Sequence, residues 1–351
     1  MLRQIISKAR RDGLAGVAIG FKARASSKIR RELAPLAPSL IPYLYKKPAT
    51  LFVETTNNCN LSCEMCYRGK RKCGYMSPDL FKKVVDDAAK IGNICLSLHF
   101  GGETLVCPNF LEYLEYAMSK RKHFYNVGFF TNGMLFDKKI AEAVVRLDVD
   151  WVTWSLDGIG EVTERIRRGS NYKLFEENLN RLLEIRGKNL KPVVGINMTV
   201  STQTLEQFQE VFKVWGGKVD HINSNPTIDE HFRVINQGQY GSKLDANAMR
   251  PPCYMPTHML SILWNGDAVF CCHDVNGQGV VGNAYTSTLT EIWQGPKLEQ
   301  VRKHLATKHF DSSELCGKCR KFSVRTEEEV ARTRNEEGLE IQVDMIEETP
   351  Y

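Results

Sequence analysis

From about residue 50 the chain alternates short apolar, β-branched runs with longer stretches in which apolar residues recur every three or four positions. The first pattern predicts strands at 51–55, 94–100, 126–130, 150–155, 192–199 and 219–223. The second predicts helices near 78–91, 109–120, 137–146, 172–186 and 204–214, the first opened by Ser77 as cap and Pro78 at the first helical position. Alternation of this kind marks a parallel sheet wound by helices. The expected fold is α/β, a partial (β/α)6 TIM-like barrel over 49–225, with its chemistry at the C-terminal ends of the strands.

Outside that stretch the pattern changes three times. Residues 226–250 are polar and turn-rich, which predicts a connector, and 251–325 carry five cysteines with few long helices, as expected of a small cysteine-rich domain held by metal. Residues 326–351 read as a helix followed by a short strand. At the front, Leu2, Ile5, Ile6 and Ala9, then Leu14, Val17, Ala18 and Phe21, recur at helical spacing and predict an amphipathic extension over 1–48.

Charge sharpens the picture of that extension. It holds eleven Lys or Arg against Asp12 and Glu32, a balance of +9 in a chain of net charge +6, so the remainder is −3. The plain reading is a helical arm packed on the barrel with a solvated basic face. Sharper ones are contact with an anionic membrane surface or a phosphorylated ligand, or an organelle transit peptide. At 351 residues, 42% hydrophobic and 25% charged, the chain can bury a sizeable core. No run approaches the roughly 18 apolar residues of a membrane span and no secretory signal opens the chain, so the expectation is a cytoplasmic protein, peripheral at the membrane if the arm binds lipid. No specific nucleic-acid partner is expected. In a reducing compartment its eleven cysteines point to metal binding or reactivity rather than to disulfides.

Three of them, Cys59, Cys63 and Cys66, fall within eight residues in "CNLSCEMC", just past the first strand. Three thiolates on one loop fill three corners of a cubic 4Fe-4S cluster and leave one iron open to a small chelating molecule. A structural zinc would want a fourth Cys or His close by. The arrangement resembles the radical S-adenosylmethionine (radical SAM) superfamily. The resemblance implies that these cysteines hold the cluster and that S-adenosylmethionine chelates its open iron. One electron from a low-potential donor such as flavodoxin or ferredoxin then cleaves the sulfonium to a 5′-deoxyadenosyl radical that abstracts a substrate hydrogen atom.

Further motifs follow at successive strand ends. "GGE" resembles the family's cofactor-amino motif, with Gly101 and Gly102 allowing close backbone approach and Glu103 accepting from the ammonium. Thr104 replaces the family's proline there, which predicts a less rigid turn. "TNG", containing Asn132, and "SLDG", containing Ser155 and Asp157, recur in the superfamily and are assigned to the cofactor site. Arg167 in "EVTERIRRG" takes the place of an arginine that pairs with the cofactor carboxylate, and Asn197 and Thr199 would reach the ribose.

Cys253, Cys271 and the pair in "CGKC", Cys316 and Cys319, together with "GNAYTSTLTEIWQGPKL", resemble the SPASM and twitch extensions of radical SAM enzymes. Four ligands suffice for one fully ligated auxiliary cluster, a second 4Fe-4S, with a zinc ribbon as the plain alternative. A closed cluster moves electrons, which suits a two-electron oxidation, and the four-cysteine form resembles 2-deoxy-scyllo-inosamine dehydrogenases.

Cys272, beside a ligand position, is a candidate hydrogen donor to a substrate radical, which would make the enzyme an epimerase. His99, and His221 with Asn223 and Asn225 at the end of the sixth strand, are candidate bases or substrate contacts. Three functions follow. The first is a radical SAM oxidoreductase, a dehydrogenase or epimerase of a small polyol, amino sugar or sugar derivative. The second is a SPASM-type maturase acting on a peptide or protein side chain, and the third a non-enzymatic, metal-stabilised binding protein.

Overall fold

Six parallel strands stand side by side in chain order: β1 (Thr50–Val53), β2 (Cys95–Ser97), β3 (Asn126–Thr131), β4 (Trp151–Ser155), β5 (Val193–Val200) and β6 (His221–Pro226). On the far side of β1 the sheet continues through β7 (Met259–Ile262), parallel to β1, and the antiparallel β8 (Asp267–Val269) and β9 (Val280–Asn283), nine strands in all with β6 and β9 at its open edges. The computed structural model describes residues 45–66, 69–200, 204–226 and 253–319. The expected arm, up to residue 44, the connector and the C-terminal helix and strand lie outside the described residues.

The crossovers are α1 (Pro78–Ile91), α2 (Phe110–Ser119), α3 (Lys138–Arg146), the short α4 (Glu161–Ile166), α5 (Tyr172–Arg186) and α6 (Leu205–Trp215). The first begins where Ser77 Oγ accepts from the Leu80 amide at 3.3 Å and Pro78 needs no partner, and it ends at Gly92, whose φ of +69° is open to glycine at little cost. Beyond β6 come α7 (Met255–His258), α8 (Leu289–Gln294), α9 (Pro296–Ala306) and α10 (Glu314–Lys318).

Strand periodicity sorts the side chains into two faces. Leu51, Val53, Leu96, Leu98, Val127, Phe129, Val152, Trp154, Val194, Ile196, Leu260 and Ile262 are all shut off from solvent. They meet Phe81, Val84, Leu114, Val144, Leu179 and Trp215 of the helices in one core, each large side chain contributing about 1.5–3 kcal/mol. The alternate residues face the concave side and are mostly neutral polar: Ser97, His99, Thr153, Ser155, Asn197, Thr199 and Asn223. Where they are glycine, a neighbour fills the space. The Trp151 ring lies where a Cβ of Gly128 would be, and the His221 ring where a Cβ of Gly195 would be.

One expectation is corrected and another gains a detail. The sixth strand is displaced toward the C-terminus, because Gly216 and Val219 form a bridge of their own and Asn223–Pro226, polar as they are, pair with Asn197–Val200. His221 therefore opens β6 instead of closing it. The cysteine-rich region also shares the barrel's sheet, since the free edge of β1 offers unpaired backbone groups that β7 takes up.

Candidate active site

The first cysteine loop leaves β1 and is docked by backbone hydrogen bonds to the end of α4 and to the loop after β2. Ser62 and Glu64 N–H donate to the Arg168 and Ile166 carbonyls, both at 2.8 Å, and Glu103 N–H donates to the Asn58 carbonyl at 2.8 Å. Gly102, at φ +75°, packs so closely that a Cβ would stand 2.4 Å from the Asn58 oxygen. Thus "GGE" and the cysteine loop touch directly, and only glycine permits it.

Donors converge on the sulfurs. The Leu61 amide reaches Cys59 Sγ at 3.4 Å, and Asn132 Nδ2 reaches it at 3.9 Å while bonding Asn60 Oδ1 at 2.8 Å. Burial pushes the Cys63 thiol up, opposed by the nearby Arg167 and reinforced by Cys66 and Cys59. Thiols so placed become thiolates when a cationic metal site is there to take them, which fits an iron-sulfur cluster held by Cys59, Cys63 and Cys66.

Glu103 is buried. Its Oε1 accepts from Thr131 Oγ1 at 2.8 Å and the Leu105 amide at 3.2 Å, and its Oε2 from the Asn132 amide at 2.6 Å. Burial outweighs these donors and raises its pKa to about 7. A ligand ammonium would tip it to the carboxylate. Thr104 does not loosen the turn: its hydroxyl bonds the Leu98 carbonyl and Thr55 Oγ1, at 2.8 and 2.9 Å, and so takes over the stiffening expected of proline.

Asp157, assigned to the cofactor site, is fully buried, accepts from the Thr199 amide at 2.6 Å and forms a 2.7 Å ion pair with Arg167 Nε. Although burial works against the Arg167 cation, Asp157 and Cys63 hold it above its ordinary value. A fixed guanidinium beside the cysteines fits a ligand carboxylate. Ser155 and Asn197 are paired in register and continue the same level of the concave face.

His99 sits on that face with Phe130 at 4.3 Å and Phe52 edge-on at 5.5 Å between ring centroids. Its Nδ1 lies 2.8 Å from Ser97 Oγ. A buried Ser97 hydroxyl satisfies its proton by donating it to Nδ1, and that arrangement goes with the Nε2–H tautomer. Burial lowers the His99 pKa to about 3. Of the two roles expected of His99, base or substrate contact, a neutral imidazole so buried suits the contact. His221, in register with Gly195 and through it with Thr153, belongs to the floor of the concave face, two levels below Thr199 and Asn225. Its expected place at the strand's end is not where it stands.

The second set gathers around Cys271, whose thiol is raised by burial, then by Cys272 and Cys253, with Cys319 also near. Cys316 is one turn before Cys319, its carbonyl accepting from the Cys319 amide at 3.2 Å. Buried Asp274 ties this loop by accepting from the Gln278 and Gly279 amides at 2.9 and 2.6 Å. Cys253, Cys271 and Cys319, with Cys316 one turn earlier, are the residues that would hold a second cluster, although among the described residues no three ligating side chains of either cysteine set stand together as they would around a metal ion. Cys272 turns its Sγ to Met255 Sδ at 3.8 Å. The Gly-Asn and Ile-Trp signature is architectural: Asn283 Nδ2 bonds Asp267 at 3.0 Å, and Trp293 donates to the Tyr45 carbonyl at 2.7 Å while Arg302 stacks on its ring at 4.1 Å.

Sequence reasoning missed Glu54 and Arg71, a buried ion pair at 2.6 Å between the first strand's end and the loop after Cys66. The signal was present as a carboxylate directly following "TLFV", an acid where the apolar run ends.

These features, a cysteine loop and a buried carboxylate at the C-terminal rim of a partial barrel, agree with a family match. A model described as the radical SAM superfamily matches residues 53–214, so the chain carries a radical SAM domain. A second, SPASM, described as an iron-sulfur cluster-binding domain, matches 253–320. Among curated relatives, the tungsten-containing aldehyde ferredoxin oxidoreductase cofactor-modifying protein of Pyrococcus furiosus is 24% identical, over 63% of this chain and 70% of its own. The S-adenosyl-L-methionine-dependent 2-deoxy-scyllo-inosamine dehydrogenase of Niallia circulans is 25% identical, over 79% and 94%. The PqqA peptide cyclase of Gluconobacter oxydans is 27% identical, over 47% and 45%. Of solved structures, BtrN in complex with AdoMet and 2-DOIA superposes with a TM-score of 0.54 at 20% identity, over 81% of this chain and 97% of that one. The superfamily match leaves the two enzymatic readings. No helix among the described residues is long and apolar enough to cross a membrane.

Proposed function

We propose that this enzyme is an oxidoreductase that dehydrogenates a small, hydroxyl-rich molecule without phosphate or carboxylate, a polyol or amino sugar. The observation that carries this is the chemistry of the concave face. Apart from Glu103 and Arg167, which take the two ends of the cofactor, the described charged pair beside that face, Glu54 with Arg71, is matched, while the levels below offer neutral hydrogen-bonding side chains beside the rings of Phe52 and Phe130. A hydroxylated ring is recognised by such a lining, whereas a phosphate or carboxylate would need an uncommitted cation.

S-adenosylmethionine at the three-cysteine cluster would supply a carbon radical that takes the hydrogen atom from the carbinol carbon, the hydroxyl proton would pass to water, and the four-cysteine cluster would be the sink for the remaining electron, which leaves a ketone. The chain's own residues do the rest. Glu103 and Arg167 fix the two ends of the cofactor's amino-acid moiety. Gly102 brings the backbone against the cysteine loop. Neutral His99 donates through Nε2 to a substrate oxygen and holds the reacting carbon in place. Electron supply comes from a ferredoxin- or flavodoxin-class donor.

Reduced, cluster-loaded enzyme incubated with 2-deoxy-scyllo-inosamine and related aminocyclitols should release 5′-deoxyadenosine above the substrate-free background, with a ketone formed in equal amount. No stimulation by any polyol, with stimulation by a peptide, would replace this reading by the maturase one, which the PqqA peptide cyclase relative supports.

A further inference from the structure

Glu54 and Arg71 join four segments that are distant in sequence. Glu54 follows β1 and has no exposed side-chain surface, and Arg71 keeps 14%. The Glu54 carboxylate takes Arg71 Nη2 at 2.6 Å on Oε1 and the Trp264 amide at 3.1 Å on Oε2, and also accepts from the Gly101 amide. Its Oε1 lies 2.8 Å from where a Cβ of Gly101 would stand. Arg71 Nε in turn donates to the Val275 carbonyl at 2.6 Å, in the loop that follows Cys271. The clamp is reinforced beside it, where the Lys70 amide donates to Asn276 Oδ1 at 2.7 Å and Gly69 leaves no room for a Cβ against the Val275 oxygen. One ion pair therefore touches the "GGE" loop, the segment after Cys66, the β7–β8 turn and the Cys271 loop.

None of these contacts holds a cluster or a cofactor by itself. We infer that the Glu54–Arg71 pair is a positioning device through which occupancy of the four-cysteine site is felt at the S-adenosylmethionine site. Ordering of residues 271–277 around the second cluster fixes the Val275 carbonyl, which fixes Arg71. Arg71 holds Glu54, and Glu54 sets the Gly101 amide at the start of the loop that presents Glu103. By linkage, the effect runs both ways. The inference rests on the assignment of the two cysteine sets to clusters.

The test is a double-mutant cycle on the full, anaerobically loaded chain, with S-adenosylmethionine affinity read from the change it causes in the electron paramagnetic resonance of the reduced first cluster. Iron content reports the loading of each variant. Cys253→Ser with Cys271→Ser, lacking the second cluster, should bind about tenfold more weakly. Arg71→Met should weaken binding by a similar factor, and the combination should be no worse than either alone, since both break the same chain of contacts. Arg71→Lys, which keeps the charge facing Glu54 but cannot also reach Val275, should melt close to wild type yet lose the coupling, a split that a purely structural role would not produce. Multiplying losses, or an unchanged affinity without the second cluster, would overturn the inference. Should Arg71→Met fail to fold, amide exchange of wild-type protein with and without the second cluster decides: protection of residues 101–103 must rise with the cluster, and equal exchange refutes it. If the doubly loaded wild type shows no spectral response to S-adenosylmethionine at all, the cofactor reading itself is wrong and the coupling falls with it. A response without coupling condemns only the inference.

Discussion

Three donors converge on Glu103, yet burial wins and its pKa rises to about 7. The sign of the consequence is definite. In the absence of ligand this group favours the folded state at low pH, because the native chain keeps its proton between about 4.5 and 7 while the unfolded chain has lost it; that contribution disappears as pH climbs through 7. A ligand ammonium needs the carboxylate, so binding releases the proton. S-adenosylmethionine affinity should be level above pH 7 and fall about tenfold per unit below it, and Glu103→Gln should bind weakly without that slope. Calorimetry in buffers of different ionisation enthalpy checks both, and a slope unaltered by the substitution refutes the assignment. His99 offers the opposite case. With its pKa lowered to about 3 and Ser97 on Nδ1, it should remain a neutral Nε2–H tautomer in nitrogen-15 spectra down to about pH 5. His99→Phe should raise KM for the substrate far more than it changes substrate-free cofactor cleavage.

At the level of elements, much was legible. The helices at 78–91 and 172–186 were readable to the residue because each is bracketed by local signals, a capping Ser77 or Asn171 before and Gly92 or Gly187 after. Where the bracket is not local, reading failed. β6 is held by its neighbour β5 and not by hydrophobic alternation of its own, so "NSNP" gave no hint of a strand. The cysteine loop and "GGE" announced themselves through residue type and spacing, but their contact did not, since it depends on how two strand ends lie beside each other. Gly102 carries that contact, and its replacement tests it. Gly102→Ala combines an unfavourable φ with a Cβ 2.4 Å from a backbone oxygen, neither of which can relax without moving the cysteine loop. It should cost roughly 1–3 kcal/mol in stability and abolish the spectral response to S-adenosylmethionine, with iron content reduced at the first site. Ser77→Ala, losing only a cap, should cost about 1 kcal/mol and leave both readouts alone.

For the molecule as a whole, composition and pattern suggested a barrel with a small metal-held domain behind it, and one sheet runs through both. Partners more than two hundred residues apart, Glu54 with the Trp264 amide, Arg71 with Val275, and Thr50–Val53 with Met259–Ile262, carry no mark in the sequence that pairs them. They make the two cysteine regions one folding problem. Residues Leu260 and Ile262 are buried in the same core as Leu51 and Val53. A chain cut after residue 226 would expose the β1 edge, leave that flank of the core open and strip the Glu54 carboxylate of an amide and, through Arg71, of its anchored cation. Losing the cover of two fully buried large side chains alone removes about 3–6 kcal/mol, comparable with the whole stability of an ordinary domain. The truncated chain should therefore be insoluble or melt without cooperativity, and should not hold the first cluster even though all three of its cysteines remain. A separable barrel would instead stay soluble, unfold cooperatively and bind about four iron atoms, and an ultracentrifuge run with an iron assay on the 1–226 fragment tells the two apart.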